Sequence, residues 1–243
     1  MREPGHRNAG RWIWLTVVLV KPINRVFFKR RWRGREHVPR TGGALLIANH
    51  VSQADWITFA EFVWDSGRTP RFLVKDSLFR YRGVGRLLRG AKQIPVSRGT
   101  AAARNSLEAA VEALDRGECV CIYPEGTVTR DPGFWPMQAR TGVARLALAS
   151  DVPLIPVCNW GPQQALDVEH RKIRPFPRHE VWCVAGPPLD LSAYRGRPLT
   201  AELLREVTDV IMAAIRDQEA KLRHEMPPPE FFRYRKPPAR EAS

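Results

Sequence analysis

Asn49, His50 and Asp55 stand in the pattern N-H-x4-D directly after the apolar run Ala44-Leu45-Leu46-Ile47-Ala48. An imidazole steadied by a carboxylate at one ring nitrogen can take a proton from a substrate hydroxyl at the other. On a regular helix, residues five apart lie roughly 140° from each other around the axis, so His50 and Asp55 meet only if a turn separates them. Ser52 is expected to provide that turn as the N-cap of a helix beginning near Gln53. Asp55 then falls in the first helical turn, where its charge suits the helix dipole. The pair alone also fits an interior histidine beside a helix-start carboxylate; the strand, Asn49 and Ser52 favour catalysis.

Downstream, Glu118-Cys119-Val120-Cys121-Ile122-Tyr123 reads as a strand that runs into Pro124-Glu125-Gly126-Thr127, where proline ends the strand and glycine permits a tight turn. Between the two segments, Gln93 to Gly99 is apolar and ends in Arg98, a side chain suited to holding phosphate or carboxylate through paired hydrogen bonds. Other chemistries lack their signatures. There is no G-x-S-x-G elbow for a serine nucleophile, and Gly83-Val84-Gly85 lacks dinucleotide-binding spacing.

In order and spacing these segments resemble the 1-acylglycerol-3-phosphate acyltransferase family of glycerolipid enzymes. The first block is Asn49, His50 and Asp55; the second is Gly90, Ile94, Val96 and Arg98. The third is Tyr123, Pro124, Glu125, Gly126 and Thr127, and the fourth runs from Val152 to Val157 with two prolines. The resemblance covers about residues 35–191. It implies transfer of a fatty acyl group from a coenzyme A or acyl carrier protein thioester to a hydroxyl of 1-acylglycerol 3-phosphate. The co-substrate brings the acyl group, and no metal or other cofactor is expected. Carried over, His50 is the general base and Asp55 its orienting carboxylate, with Asn49 and Ser52 in support. Arg98, Glu125, Gly126 and Thr127 shape the acceptor site. Family members often place arginine directly after E-G-T, whereas here Val128 and Thr129 intervene before Arg130, which is expected to reach the same phosphate. Lys75 and Ser77 to Phe79 are expected to border the acceptor or acyl tunnel. Glycerol 3-phosphate and other lysophospholipids or glycolipids remain alternative acceptors, and a basic binding protein on the same fold is the non-enzymatic alternative.

The elements that must position these residues alternate. Ala101 to Arg116 carries Leu107, Ala110, Val111 and Leu114 at helical spacing, with Gly117 as its stop, and leads to the Cys119 strand. A helix over 141–150 leads to a strand over Leu154 to Trp160, another strand follows at Val181 to Ala185, and Thr200 caps a helix through about Leu222. This predicts an α/β fold with a largely parallel central sheet covered by helices on both faces.

The chain has 243 residues, 44% of them hydrophobic, and a net charge of +14. That charge implies an anionic partner, and without nucleic-acid motifs an anionic membrane surface is preferred and no nucleic acid is expected. The four cysteines have no C-x-x-C spacing and read as buried thiols of a reducing compartment. Residues 1–35 are expected to form an apolar and basic segment lying in the membrane interface. Its Trp12 to Val20 stretch is too short to cross a bilayer, Lys21-Pro22 interrupts it, and its tryptophans face lipid. Residues 36–226 form the catalytic domain, and 227–243 a Pro/Arg-rich tail without structure of its own. The expected location is the cytoplasmic face of the cell membrane.

Overall fold

The computed structural model describes residues 10–97, 100–167, 172–174 and 176–234. In chain order, α1 (Arg11–Phe27) and β1 (Phe28–Arg33) precede β2 (Ala44–Ala48), α2 (Asp55–Asp65), β3 (Pro70–Lys75), α3 (Arg82–Gly90) and β4 (Ile94–Val96). Next come α4 (Thr100–Asp115), β5 (Cys119–Ile122), α5 (Gly142–Leu148), β6 (Leu154–Trp160) and α6 (Pro162–Ala165). A small hairpin of β7 (Leu166–Asp167) and β8 (Lys172–Ile173), then β9 (His179–Ala185) and α7 (Ala201–Arg223), complete the fold.

Seven strands make one sheet in the order β1-β9-β6-β2-β5-β3-β4. β2 pairs in parallel with β5 on one side and β6 on the other, while β9 runs antiparallel to β6 and carries β1 parallel to itself. All five residues of β2 are buried, as a central strand covered on both faces requires. Its alternation sorts the core into two layers. Leu45 and Ile47 join Val120 and Leu154 beneath α4, α5 and α7, whereas Ala44, Leu46 and Ala48 join Cys119, Cys121, Ile155 and Val157 beneath Phe59, Phe62 and Val63 of α2. All four cysteines are buried and free, and Cys119 and Cys121 share one face as their spacing predicts. After β2 the chain fills one half of the sheet through β3, β4 and β5 before crossing to β6. The carboxyl end of β2 is therefore the topological switch point, where open α/β sheets place their ligands.

The amino-terminal region departs from the sequence reading. Pro22 does not interrupt α1, which continues to Phe27, and Lys29 to Arg33 belong to an edge strand of the central sheet. One face of α1 docks on the rest of the protein. Trp14 meets Trp64 edge-on at 4.9 Å, Lys21 pairs with Asp65 at 2.6 Å, and buried Asn24 donates to Glu61. Trp12 packs on Gly90, where a Cβ would lie 2.3 Å from its ring, so this glycine seats α1 against α3. The tryptophans of α1 thus face protein. The exposed stripe is instead aliphatic: Leu15, Val18, Leu19, Ile23 and Val26 recur at helical spacing. Among the described residues no helix is long and apolar enough to cross a membrane. At the other end, Gln138 N–H donates to Phe232 O and Arg130 lies over the Tyr234 ring, so Phe232 and Tyr234 rest on the body.

Arg71, 1% exposed, donates to Glu118 Oε2 at 2.6 Å and to Ala91 O at 2.8 Å, joining β3 to the approaches of β4 and β5. Removing one member of such a pair strands the other. Arg71→Met is expected to lower stability by about 3 kcal/mol in urea unfolding, with partial recovery in the Arg71→Met/Glu118→Leu double variant.

Candidate active site

His50 leaves β2 at its carboxyl end, and the chain folds back so that the Asp55 carboxylate sits under residues 50–52. Oδ2 accepts from His50 Nδ1 at 2.9 Å, from Val51 N–H at 2.7 Å and from Ser52 N–H at 3.0 Å. The carboxylate is fully buried, and these charge-assisted bonds offset its desolvation. The intervening turn is real, but its construction differs from the expectation. The helix starts at Asp55 rather than near Gln53, and Ser52 closes the preceding turn by accepting from Ala54 N–H at 3.1 Å while donating to Leu166 O at 2.6 Å. With Nδ1 committed to Asp55, Nε2 hydrogen-bonds no group among the described residues, and the side chain keeps 16% of its surface exposed.

Two further side chains hold this turn. Asn49 extends the β2–β6 pairing beyond the strand by imitating a peptide group. Its Oδ1 accepts from Asn159 N–H at 2.7 Å and its Nδ2 donates to Asn159 O at 3.1 Å. Nδ2 also donates to Glu219 Oε2 at 2.9 Å; Glu219 in turn bonds Arg223 at 2.9 Å, and that guanidinium lies over the rings of Trp135 and Trp160. From the other side, Glu125 accepts from His50 N–H at 2.8 Å and from Met137 N–H at 3.0 Å. It is therefore a brace between the two motifs and does not line the neighbouring cavity. Gly126 beside it takes φ +72°, which permits the turn.

The charges at this site follow from burial. Burial disfavours the imidazolium of His50, but the Asp55 charge, the hydrogen bond to it and the Glu125 charge together outweigh burial and raise the His50 pKa above its ordinary 6.5. Burial pushes Glu125 up to about 8, against its backbone bonds from Met137 and His50. Glu219 is likewise pushed up to about 8 by burial, against Arg223. Because Glu125 is largely protonated at neutral pH, Asp55 is the principal countercharge of His50 there.

A cavity of about 350 Å³ flanks the dyad, starting at Val51 and Ser52 and continuing past Thr129, Arg130 and Asp167 to Tyr234. His50 is adjacent through Thr129 N–H, which donates to His50 O at 2.7 Å. Arg130 lines this space with its guanidinium over the Tyr234 ring at 5.5 Å. Thr127 is half-buried in the turn before it. Lys75 is exposed at the end of β3, two strands from β2, and lines none of the cavity. Arg98 lies outside the described residues. The structure thus gathers Asn49, His50, Ser52, Asp55, Glu125 and Gly126 around one turn, brings Arg130 to the adjoining cavity and leaves Lys75 apart. Sequence reasoning missed Asn159, Glu219 and Arg223. Their only sequence signals are a polar residue late in an apolar strand and an i, i+4 ion pair on a helix.

Comparison with known proteins agrees with this geometry. A family model described as Acyltransferase matches residues 29–160, more than half of the chain. Curated relatives named 1-acyl-sn-glycerol-3-phosphate acyltransferase include one from Bacillus subtilis (strain 168), 24% identical over 191 residues and covering 77% of this chain and 87% of that protein. Another, from Escherichia coli (strain K12), is 28% identical over 186 residues, covering 74% and 70%. The crystal structure of the 1-acyl-sn-glycerophosphate (LPA) acyltransferase PlsC from Thermotoga maritima covers 83% of this chain and 80% of its own at 22% identity, with a TM-score of 0.57, a likeness of fold. With more than half of its length matched by that family model, this chain belongs to the acyltransferase family.

Proposed function

We propose that the protein transfers a fatty acyl group from an acyl thioester to the free hydroxyl of 1-acylglycerol 3-phosphate, making phosphatidic acid. The observation that carries this reading is the orientation of His50, with Nδ1 on a buried carboxylate and Nε2 left for a substrate. Nε2 removes the acceptor's hydroxyl proton as that oxygen attacks the thioester carbonyl. Collapse of the tetrahedral intermediate breaks the C–S bond, and the departing sulfur takes the proton from the imidazolium. No acyl-enzyme forms, so holding donor and acceptor together is much of the catalysis. The donor is an acyl-CoA or acyl carrier protein, and the curated relatives' names support the acceptor.

Arg130 is assigned to the acceptor phosphate, since it brings a cation into the cavity beside the dyad. The aliphatic stripe of α1 is assigned to the interface of an anionic membrane, at its cytoplasmic face, where a lipid acceptor is collected. The exposed Trp56, Tyr81 and Val84 and the arginines at 82, 86 and 89 extend that apolar and basic character onto α2 and α3.

His50→Ala is expected to lower kcat at least about 10²-fold with circular dichroism unchanged; normal turnover would instead support a binding protein. The base works only when neutral and its pKa is raised, so kcat/KM should rise with pH through a value above 6.5. Asp55→Asn should move that limb to lower pH, because burial then acts without its principal opposing charge. Arg130→Ala should raise the KM for 1-acylglycerol 3-phosphate about tenfold to a hundredfold, with a smaller effect on the thioester KM. Replacing Val18, Leu19 and Ile23 with serine should abolish co-flotation with phosphatidylglycerol vesicles while leaving turnover of detergent-dispersed substrate intact.

A further inference from the structure

The His50 ring does not stand free above the sheet. It lies on the ring of Tyr123, centroids 4.3 Å apart and planes inclined by 20°. Tyr123 in turn stacks on Phe72 at 6.2 Å and 15°, and Phe59 meets both edge-on at 5.6 and 5.8 Å. Three aromatic side chains from β3, α2 and the end of β5 thus build a wall with the imidazole as its outer layer. The phenol hydroxyl is buried and makes no hydrogen bond among the described residues; the Asp55 carboxylate is the nearest charge acting on it. It and Asp55 Oδ1 are thus two buried polar atoms that each lack a hydrogen bond among the described residues, while Oδ2 takes the three N–H donors described above.

We propose that Tyr123 is a positioning residue for the dyad: its ring is the platform that orients the His50 imidazole, and its unpartnered hydroxyl closes onto the unpartnered Oδ1 of Asp55 as a fourth donor to that carboxylate. This rests on the reading of His50 as the general base. Burial, the Asp55 charge and the Cys183 thiol beside it keep the hydroxyl protonated, well above the ordinary tyrosine range, so it remains a donor at every working pH. The groups facing it are Asp55 on α2, Cys183 on β9 and Cys121 on β5; those facing His50 are Asp55 and Glu125. Two consequences follow for the chemistry. A carboxylate shared among four donors presents less charge to each, so the hydroxyl tempers the basicity that Asp55 confers on His50. The face of the phenol ring also lies against the imidazolium that forms as the acceptor is deprotonated, an attraction between cation and ring.

The test is Tyr123→Phe, which deletes one oxygen and keeps the ring. Titration of the His50 ring by NMR in substrate-free, isotopically labelled enzyme, assigned with His50→Ala, should show its pKa moving upward by about half a pH unit. The acidic limb of kcat/KM should move the same way, and kcat should fall about fivefold. Tyr123→Leu, which also removes the platform, should lose more activity than Tyr123→Phe. A His50 pKa unchanged in Tyr123→Phe overturns the hydroxyl's role, and equal activity of the phenylalanine and leucine variants overturns the platform. The titration needs no substrate. A shift in an enzyme that fails to acylate any lysophospholipid would therefore refute the catalytic reading of His50 while leaving the Tyr123 contact standing.

Discussion

A single buried carboxylate organises this candidate active site. Asp55 has no exposed surface, and a carboxylate taken out of water without partners costs several kcal/mol. Its donors are the ring nitrogen of His50 and the backbone N–H groups of Val51 and Ser52. All three belong to the residues that immediately follow the central strand. Satisfying Asp55 therefore forces the chain to wrap around it, which fixes the turn and starts α2. The same wrapping points one imidazole nitrogen inward and leaves the other for a reactant. Fold stability and the geometry of the proposed dyad are here one constraint.

The rest of the domain keeps that turn still. Asn49 carries the sheet pairing one step past the end of β2 by presenting an amide where a peptide would stand. Glu125 holds the backbone of His50 from the neighbouring motif, and Glu219 reaches Asn49 from α7. Both glutamates sit where burial raises their pKa to about 8. Each is kept in the interior by hydrogen bonds that an apolar side chain could not make, so their value lies in specifying one arrangement of the site.

The amino-terminal helix divides its labour between its two sides. Trp14, Lys21 and Asn24 lock onto α2 through ring, ionic and amide contacts, while an aliphatic stripe on the other side is covered by none of the described residues. Contiguous exposed apolar stripes are characteristic of surfaces that meet a partner or a membrane. Because the docked side is fixed to α2, whose first residue is Asp55, whatever meets the stripe is held at a set distance from the site.

The strands from Ala44 to Ala48 and from Leu154 to Trp160, and the long helix after Thr200, were legible in the sequence because their apolar spacing and end signals agree. The proximity of His50 and Asp55 was legible as a requirement. Less legible were β1, whose basic residues disguise an edge strand, and the path of α1 through Pro22, where docking on α2 outweighs local propensity. The tryptophans of α1 were assigned to lipid because their chemistry suits an interface, but only packing could reveal Trp64 and Gly90 as their partners. By itself, then, the sequence determined which side chains are the candidates for the chemistry and the alternating plan that delivers them, since both are written in residue type and local spacing. Tertiary structure alone decided that Asn159, Tyr123 and Glu219 surround the dyad, because contacts between residues 70 to 170 positions apart depend on strand order and burial, which no local pattern encodes.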